Sequence, residues 1–192
     1  MHEDAQAEFY EEIRKRAQEH HTHPLDEGMG AVMPEPEYDL PLEAEGDTAI
    51  YALARISGEG SDRKEVSGDI LLSESEKHMI LELNRKYRRF MLVLNVGGPV
   101  DLSPVIEVGN ILILSQLGVQ TGTALADLVL GKTCPSGKLT ATWAGRKDYP
   151  AFASFGEKDD TRYQEGIYVG YRYFDSVDKE VLFPFGYGCS YT

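Results

Sequence analysis

Residues 90–96, Phe-Met-Leu-Val-Leu-Asn-Val, are the stretch that decides the fold. An almost unbroken apolar run of this length is typical of a strand that is buried on both faces, as in a parallel sheet. Similar runs at Thr48–Ile56 and Asn110–Leu117 predict two further strands. We expect Phe90–Val96 and Asn110–Leu117 to be interior strands of one sheet.

Helical patterns accompany these strands. Ala7–Gln18 carries apolar and aromatic residues at helical spacing. Ser73-Glu74-Ser75-Glu76 has the pattern of a capping box, which predicts a helix from about Glu74 to Lys86. Thr121–Leu130 is predicted to be a helix that Gly131 ends. We expect these three helices to cover the strands.

The alternation of strands and helices predicts an α/β fold, a three-layer sandwich with a mainly parallel sheet flanked by helices. Residues 22–42 contain four prolines and two glycines and are predicted to form a long loop. Leu139–Trp143 is predicted to be a late strand or extended segment. With 192 residues, the chain has the length of a single domain, so residues 1–192 are taken as one α/β domain.

Composition restricts the classes of partner. The net charge of −13 argues against nucleic acid and anionic membrane surfaces, which need clustered Lys and Arg. No apolar run reaches the roughly 18 residues of a membrane span. The start at His2-Glu3-Asp4 is charged, unlike a signal peptide, which favours a cytoplasmic protein and leaves secretion of a longer parent protein open. Cys134 and Cys189 are too few for a disulfide framework and are expected to be free thiols.

The segment after the first strand carries the most informative polar residues. Arg55-Ile56-Ser57-Gly58-Glu59-Gly60-Ser61-Asp62-Arg63 begins where that strand ends, at the edge where α/β sheets bind ligands. Gly58 and Gly60 permit backbone angles that aim Glu59 away from the sheet. A carboxyl group held there can act as a general acid and base. The alternative is a surface turn with a solvated glutamate.

Other residues on this segment are weaker candidates for a functional role. Asp62 and Arg63 either pair and brace the loop or form an ordinary surface pair. Glu65 and Asp69 are second-choice acids, and both are expected to be solvated charges beside Arg63 and Lys64.

Two further motifs are not expected to be sites. His20-His21-Thr22-His23 lacks the matching cysteine or carboxylate cluster of a metal site, so no metal is predicted. Gly97-Gly98-Pro99 lacks both the Lys-Ser/Thr ending of a P-loop and a dinucleotide fingerprint, so no cofactor is predicted. The tyrosines of the C-terminal segment either stack on sugars or pack against the sheet.

The segment Arg55–Arg63 resembles the acid/base loop of glycoside hydrolase family 3, the β-glucosidase and β-xylosidase family. Four further blocks, in the same order along the chain, are also similar to that family: Leu94–Asp101, Ala124–Gly131 with Pro135–Leu139, Tyr163–Tyr173 and Phe183–Thr192. The resemblance implies the second, α/β sandwich domain of that family. The family's opening strand of this domain, and its first, barrel-type domain with the aspartate nucleophile, have no counterpart here.

The resemblance also implies a function. Glu59 is expected to be the catalytic acid/base of a retaining β-glucosidase or a related exo-acting β-glycosidase, and Ser57, Gly58, Gly60, Asp62 and Arg63 are candidate substrate-binding residues. Because retaining hydrolysis needs two carboxyl groups, we expect the chain to be inactive without the nucleophile-bearing domain. The expected partners are a carbohydrate substrate and either the barrel domain, a second fragment of the same enzyme, or another copy of the chain. The alternative function is a non-catalytic flavodoxin-like binding or structural module.

Overall fold

The structure is a computed structural model that describes residues 2–29, 31, 33–56, 62–151 and 159–189. Its residues group into two compact units, one made of Met1–Val100 and Glu107–Thr121 and the other of Asp101–Ile106 and Gly122–Thr192. The chain order of helices and strands is α1 His2–His20, α2 Pro24–Gly28, β1 Thr48–Ala54, α3 Glu74–Lys86, β2 Arg89–Asn95, β3 Ile111–Ile113, α4 Thr121–Val129 and α5 Tyr171–Ser176.

The first unit is built on a parallel sheet of three strands in the order β1-β2-β3. In β2, the adjacent side chains of Leu92 and Val93 point to opposite faces, and both are almost fully buried. This confirms the prediction that the run at 90–96 is an interior strand covered on both sides. The helix α3 packs against β2 through a buried stripe that includes Met79, Ile80 and Leu83.

The start of α3 agrees with the capping-box prediction. The Ser73 hydroxyl accepts a hydrogen bond from the Glu76 amide at 3.1 Å, and the Glu76 carboxylate accepts one from the Ser73 amide at 2.9 Å. Both bonds satisfy donors that the helix leaves unpaired at its amino end.

Two predictions about the sheet are wrong. The third strand is only Ile111–Ile113, because Ser115 has a φ of 59° and turns the chain out of the extended conformation. Among the described residues β3 lies at the edge of the sheet, so the run at 110–117 is not an interior strand.

The amino-terminal region also differs from its prediction. The helix α1 buries Ile13 and Ala17 and packs mainly against α2, so covering the sheet is not its main role. The short helix α2 interrupts the loop predicted over 22–42. His23 caps α2 by accepting a hydrogen bond from the Leu25 amide on its ring nitrogen at 3.2 Å.

The second unit contains α4, α5 and a short paired segment. Trp143 and Phe183 form an antiparallel bridge, with hydrogen bonds of 2.8 and 2.9 Å between their backbones. The Leu139 amide donates to the Tyr187 carbonyl at 2.9 Å, and the Leu139 carbonyl accepts from the Gly186 amide at 2.8 Å. Residues 139–143 are thus hydrogen-bonded at both ends, but bends at Thr140 and Ala141 interrupt the predicted strand or extended segment. Trp143 is buried in this unit.

Candidate functional site

The predicted site surrounds the carboxyl end of β1. Ser57, Gly58, Glu59 and Gly60, together with Ser61, lie outside the described residues. The structure therefore describes the residues that flank this segment in the chain. Arg55 and Ile56 precede it, and Asp62 and Arg63 follow it. In a parallel sheet the carboxyl ends of all strands lie at one edge, which is the usual position of a ligand site in α/β folds.

Arg55 is buried at this edge and makes contacts in several directions. Its Nη1 and Nη2 atoms donate to the two carboxylate oxygens of Glu76, both at 2.7 Å, in a bidentate ion pair whose side chains are 3% and 1% exposed. Its Nε atom donates to the backbone oxygen of Asp69 at 2.8 Å. Its own carbonyl accepts from Gln116 Nε2 at 3.1 Å. The chain is thus fixed at Arg55, two residues before Ser57.

Arg63, which follows residues 57–61 in the chain, forms an ion pair with Asp69 and not with Asp62, the partner that we predicted. Its Nε atom donates to Asp69 Oδ1 at 2.8 Å, and its Nη2 atom donates to the Asp69 backbone oxygen at 2.9 Å. A third bond runs from Nη1 to the Pro99 carbonyl at 2.8 Å. Asp62, the neighbour that we expected to pair with Arg63, is exposed.

The prediction for Asp69 was wrong: the sequence analysis predicted a solvated charge. Its side chain is 1% exposed. One carboxylate oxygen accepts from Arg63, and the other accepts from the Lys64 amide at 2.6 Å. Both oxygens of this buried carboxylate are therefore occupied by hydrogen bonds within the domain. Asp69 is a structural ion-pair partner of Arg63.

The remaining carboxylates at this edge of the sheet differ in their exposure to solvent. Glu76 is buried and neutralised by Arg55, while Asp62 and Glu65 are exposed. The sequence analysis identified Glu76 only as a helix cap and missed its ion pair with Arg55. The two residues are 21 positions apart, and no local pattern joins them.

Two titratable groups around the 33–42 segment of the same unit, Glu37 and Tyr51, have shifted pKa values. Hydrogen bonds from the Ser75 hydroxyl and amide lower the pKa of Glu37 to about 2. Burial raises the pKa of Tyr51 far above its usual value, and the hydrogen bond that joins its hydroxyl to that of Tyr38, 3.0 Å long, adds to the effect. Both groups help to hold the 33–42 segment against β1 and α3.

A cavity of about 420 Å³ lies in the second unit. It is lined by Pro150, Gln164, Glu165, Tyr168, Tyr173, Ser176 and Val177. Tyr163, also in this region, is 91% exposed. Tyr168 and Tyr173 line this cavity, and Tyr173 also packs edge-on against the buried Phe174 of the same helix. That these tyrosines stack on sugars stays a prediction.

The described residues contain no group of three or more His, Cys, Asp or Glu side chains that could hold a metal ion. His20 instead contacts Glu27 at 3.0 Å. Cys134 and Cys189 are both free and exposed, as predicted. Among the described helices, none is long and apolar enough to cross a membrane.

Comparison with known proteins gives one consistent family. The chain matches the family model described as "Glycosyl hydrolase family 3 C-terminal domain" over residues 2–191. It is 39% identical to beta-glucosidase A of Butyrivibrio fibrisolvens over 78% of this chain and 22% of that protein. It is 34% identical to a beta-glucosidase of Ruminococcus albus over 98% of this chain and 21% of that protein. The chain thus spans about a fifth of the length of these curated relatives.

Solved structures agree with the sequence matches. The structure is similar to beta-glucosidase 3B from Thermotoga neapolitana in complex with alpha-D-glucose, with a TM-score of 0.72, 34% identity, and coverage of 96% of this chain and 28% of that one. It is also similar to a beta-glucosidase from Paenibacillus barengoltzii, with a TM-score of 0.71, 35% identity, and coverage of 93% of this chain and 21% of that one. The chain is an α/β sandwich that belongs to glycoside hydrolase family 3, as a C-terminal domain of that family.

Proposed function

We propose that this chain supplies the general acid/base, Glu59, to a retaining β-glucosidase whose nucleophile lies on a separate barrel domain. The family match over residues 2–191 is the observation that carries the proposal. It is supported by the similarity to beta-glucosidase 3B from Thermotoga neapolitana, which was solved in complex with glucose. The substrate class proposed for the whole enzyme is therefore a β-linked glucoside.

The inventory of carboxylates at the carboxyl end of β1 supports Glu59 as the acid/base. Asp69 and Glu76 are each buried and paired with an arginine, and every oxygen of these two carboxylates already accepts a hydrogen bond within the domain. An acid/base must give a proton to the departing oxygen and then take one from water. Of the acids considered from the sequence, this leaves Glu59, with Glu65 as the second choice.

The chemistry needs a second carboxylate that this domain is not expected to provide. In a retaining enzyme the nucleophile and the acid/base are about 5–5.5 Å apart. We propose that the nucleophile comes from the barrel domain, and that the 192-residue chain alone does not hydrolyse aryl β-glucosides. Turnover by the pure chain that Glu59→Gln abolishes would contradict this proposal.

The test uses the completed enzyme, by which we mean this chain joined to a nucleophile-bearing barrel domain of family 3. Glu59→Ala is expected to slow glucosides with poor leaving groups by about 10²-fold or more, and dinitrophenyl glucoside far less, since only the former need protonation of the departing oxygen. Azide is expected to restore turnover on the activated substrate by replacing the water that Glu59 activates.

The control is Glu65→Ala, which removes the exposed carboxylate on the same side of the sheet. It is expected to retain activity on both substrates. Equal losses on both substrates in Glu59→Ala, with no azide rescue, would contradict the proposal. Full activity of Glu59→Ala would favour the alternative, a non-catalytic binding or structural module.

A further inference from the structure

The cavity of about 420 Å³ in the second unit has a lining that is suited to a small ligand. Its lining residues come from three places: Pro150, a turn at 164–168, and the end of α5 with the residue that follows it. The volume lies within the range of about 300–1,000 Å³ that is usual for small-molecule sites. We call the space bounded by these residues the tyrosine cavity, after Tyr168 and Tyr173 in its lining.

Two walls of the tyrosine cavity are held in place by contacts within the second unit. Pro150 follows Tyr149, whose hydroxyl donates to the Thr142 carbonyl at 2.8 Å and accepts from the Ala144 amide at 3.3 Å. The Tyr149 ring also packs edge-on against the buried Phe174 of α5, with the ring centroids 5.3 Å apart. Pro150 and α5 are therefore joined through this ring contact. A cavity whose walls are fixed in advance lowers the cost of binding.

The third wall is the turn at 164–168. The Tyr168 amide donates to the Glu165 carbonyl at 2.9 Å, and the Gly166 amide donates to the Tyr163 carbonyl at 3.2 Å. Gly166 has a φ of +56°, a conformation that glycine adopts without strain. The turn thereby brings Gln164, Glu165 and Tyr168 into the lining of one cavity.

The lining combines ring surface with polar side chains. Gln164, Glu165 and Ser176 take part in none of the side-chain hydrogen bonds found among the described residues. A carboxylate accepts hydrogen bonds, whereas an amide and a hydroxyl both donate and accept them. The tyrosine rings add flat apolar surface that ends in a polar hydroxyl. Together these groups match a ligand that has several hydroxyl groups and an apolar face, which is the chemistry of a pyranose sugar.

Neighbouring charges favour a neutral ligand. Glu165 in the lining and the net charge of −13 disfavour an anion. The competing ligand is an organic cation, because tyrosine rings and a carboxylate both attract positive charge. However, Lys179 Nζ already lies 5.7 Å from the centre of the Tyr173 ring, and it donates to the Asp148 carbonyl at 2.8 Å. A ligand cation would therefore meet a like charge, whereas a neutral sugar would not.

We propose that the tyrosine cavity is a binding site for one neutral pyranose unit. Tyr168, which is 51% exposed, packs against the sugar ring, and Gln164 and Glu165 bond its hydroxyl groups. The inference uses residues of the second unit alone, so it does not depend on the role proposed for Glu59. It gives the chain a place of its own at which to hold a carbohydrate.

The test is saturation-transfer NMR of the 192-residue chain with methyl β-D-glucoside, because this method detects weak binding and does not require a monomer. We expect a saturable signal from the sugar protons. Tyr168→Ala is expected to weaken binding about 10-fold or more, since it removes ring surface from the cavity. Glu165→Gln is expected to weaken binding several-fold, since hydrogen bonds to a charged acceptor are the stronger ones. Both variants are expected to keep the thermal midpoint of the parent.

The matched control is Tyr163→Ala. Tyr163 lies on the same segment, is 91% exposed and is not part of the cavity lining. We expect its replacement to leave the affinity for the sugar unchanged. Tetramethylammonium and inorganic phosphate probe the two other classes of ligand, and neither is expected to bind at the concentrations at which the sugar does.

The outcomes that would contradict the inference are distinct. A sugar signal that does not saturate, or equal losses of affinity in Tyr168→Ala and Tyr163→Ala, would show that the cavity is not a sugar site. Tighter binding of tetramethylammonium than of the sugar would show that it selects a cation instead. If Tyr168→Ala does not fold, Glu165→Gln decides, and an unchanged affinity in that variant would overturn the inference. None of these results bears on the Glu59→Ala experiment.

Discussion

Gly68 controls where the carbonyl group of Asp69 lies. Its φ is +80°, and a Cβ atom added to it would meet the backbone oxygen of Glu35 at 2.0 Å. The approach is close because the Glu35 amide donates to the Gly68 carbonyl at 2.8 Å. Only glycine accepts both the left-handed conformation and this contact. The turn that places Asp69 beside Arg55 and Arg63 therefore depends on the absence of a side chain at Gly68.

Gly68→Ala is expected to lower the free energy of unfolding by about 3 kcal/mol, the sum of backbone strain and overpacking. The measurement is urea unfolding of the 192-residue chain. Gly131→Ala is the matched control, because Gly131 has a similar φ of +69° but no atom within 4 Å of the added Cβ. Its expected cost is about 1 kcal/mol, from the backbone alone. Equal costs at the two positions would show that the contact with Glu35 is unimportant.

At the scale of the element, the amino terminus of α3 binds two carboxylates. Glu76 closes the capping box from within the helix. Glu37, from the 33–42 segment, accepts hydrogen bonds from the Glu74 amide at 3.1 Å, the Ser75 amide at 2.9 Å and the Ser75 hydroxyl at 2.6 Å. Unpaired amides and the helix dipole both favour negative charge at this end. Glu37 thus fastens an irregular segment to the helix.

This contact predicts a pH dependence of stability. The folded pKa of Glu37 is about 2, below the ordinary value of 4.5, so its contribution is present above pH 4.5 and is lost as the pH falls toward 2. Glu37→Gln is expected to be less stable than the parent at pH 7, and the difference is expected to shrink between pH 4.5 and pH 2. Unfolding curves at several pH values measure it. A constant difference over this range would contradict the prediction.

At the scale of the whole molecule, the strand β1 leaves one edge of the sheet unpaired. Within the part of the chain that the structure describes, β1 pairs with β2 alone, and the side chain of Ile50 is 46% exposed. An exposed strand edge with apolar side chains tends to pair with another chain. The chain spans about a fifth of the length of its curated relatives.

We expect the isolated 192-residue chain to self-associate in the micromolar range, because no other domain is then present to cover the edge. Sedimentation equilibrium measures the association. Ile50→Lys, which places a charge on the exposed side of the strand, is expected to shift the chain toward monomer. A clean monomer with a sharp thermal transition would show that the edge needs no partner.

The predictions from sequence were most accurate for features that depend on residues close together in the chain. The helix at 74–86 was predicted with the bounds it has in the structure, because Ser73 and Glu76 form its cap within four residues. The strand at 90–96 was predicted to within one residue at each end, since a run that is apolar on both faces has few other environments. The third strand was predicted too long, because nothing in the run Leu114-Ser115-Gln116-Leu117 signals the positive φ of Ser115.

The amino-acid sequence by itself determined the strands β1 and β2, the helix α3 and the family to which the chain belongs, because apolar runs, caps and ordered motif blocks are local patterns. Only the tertiary structure decided that Asp69 is buried, that Arg63 pairs with it rather than with Asp62, and that Arg55 pairs with Glu76. These partners are 6 and 21 residues apart. The path of the chain between them decides which charges meet and which are removed from water, and no spacing rule encodes that path.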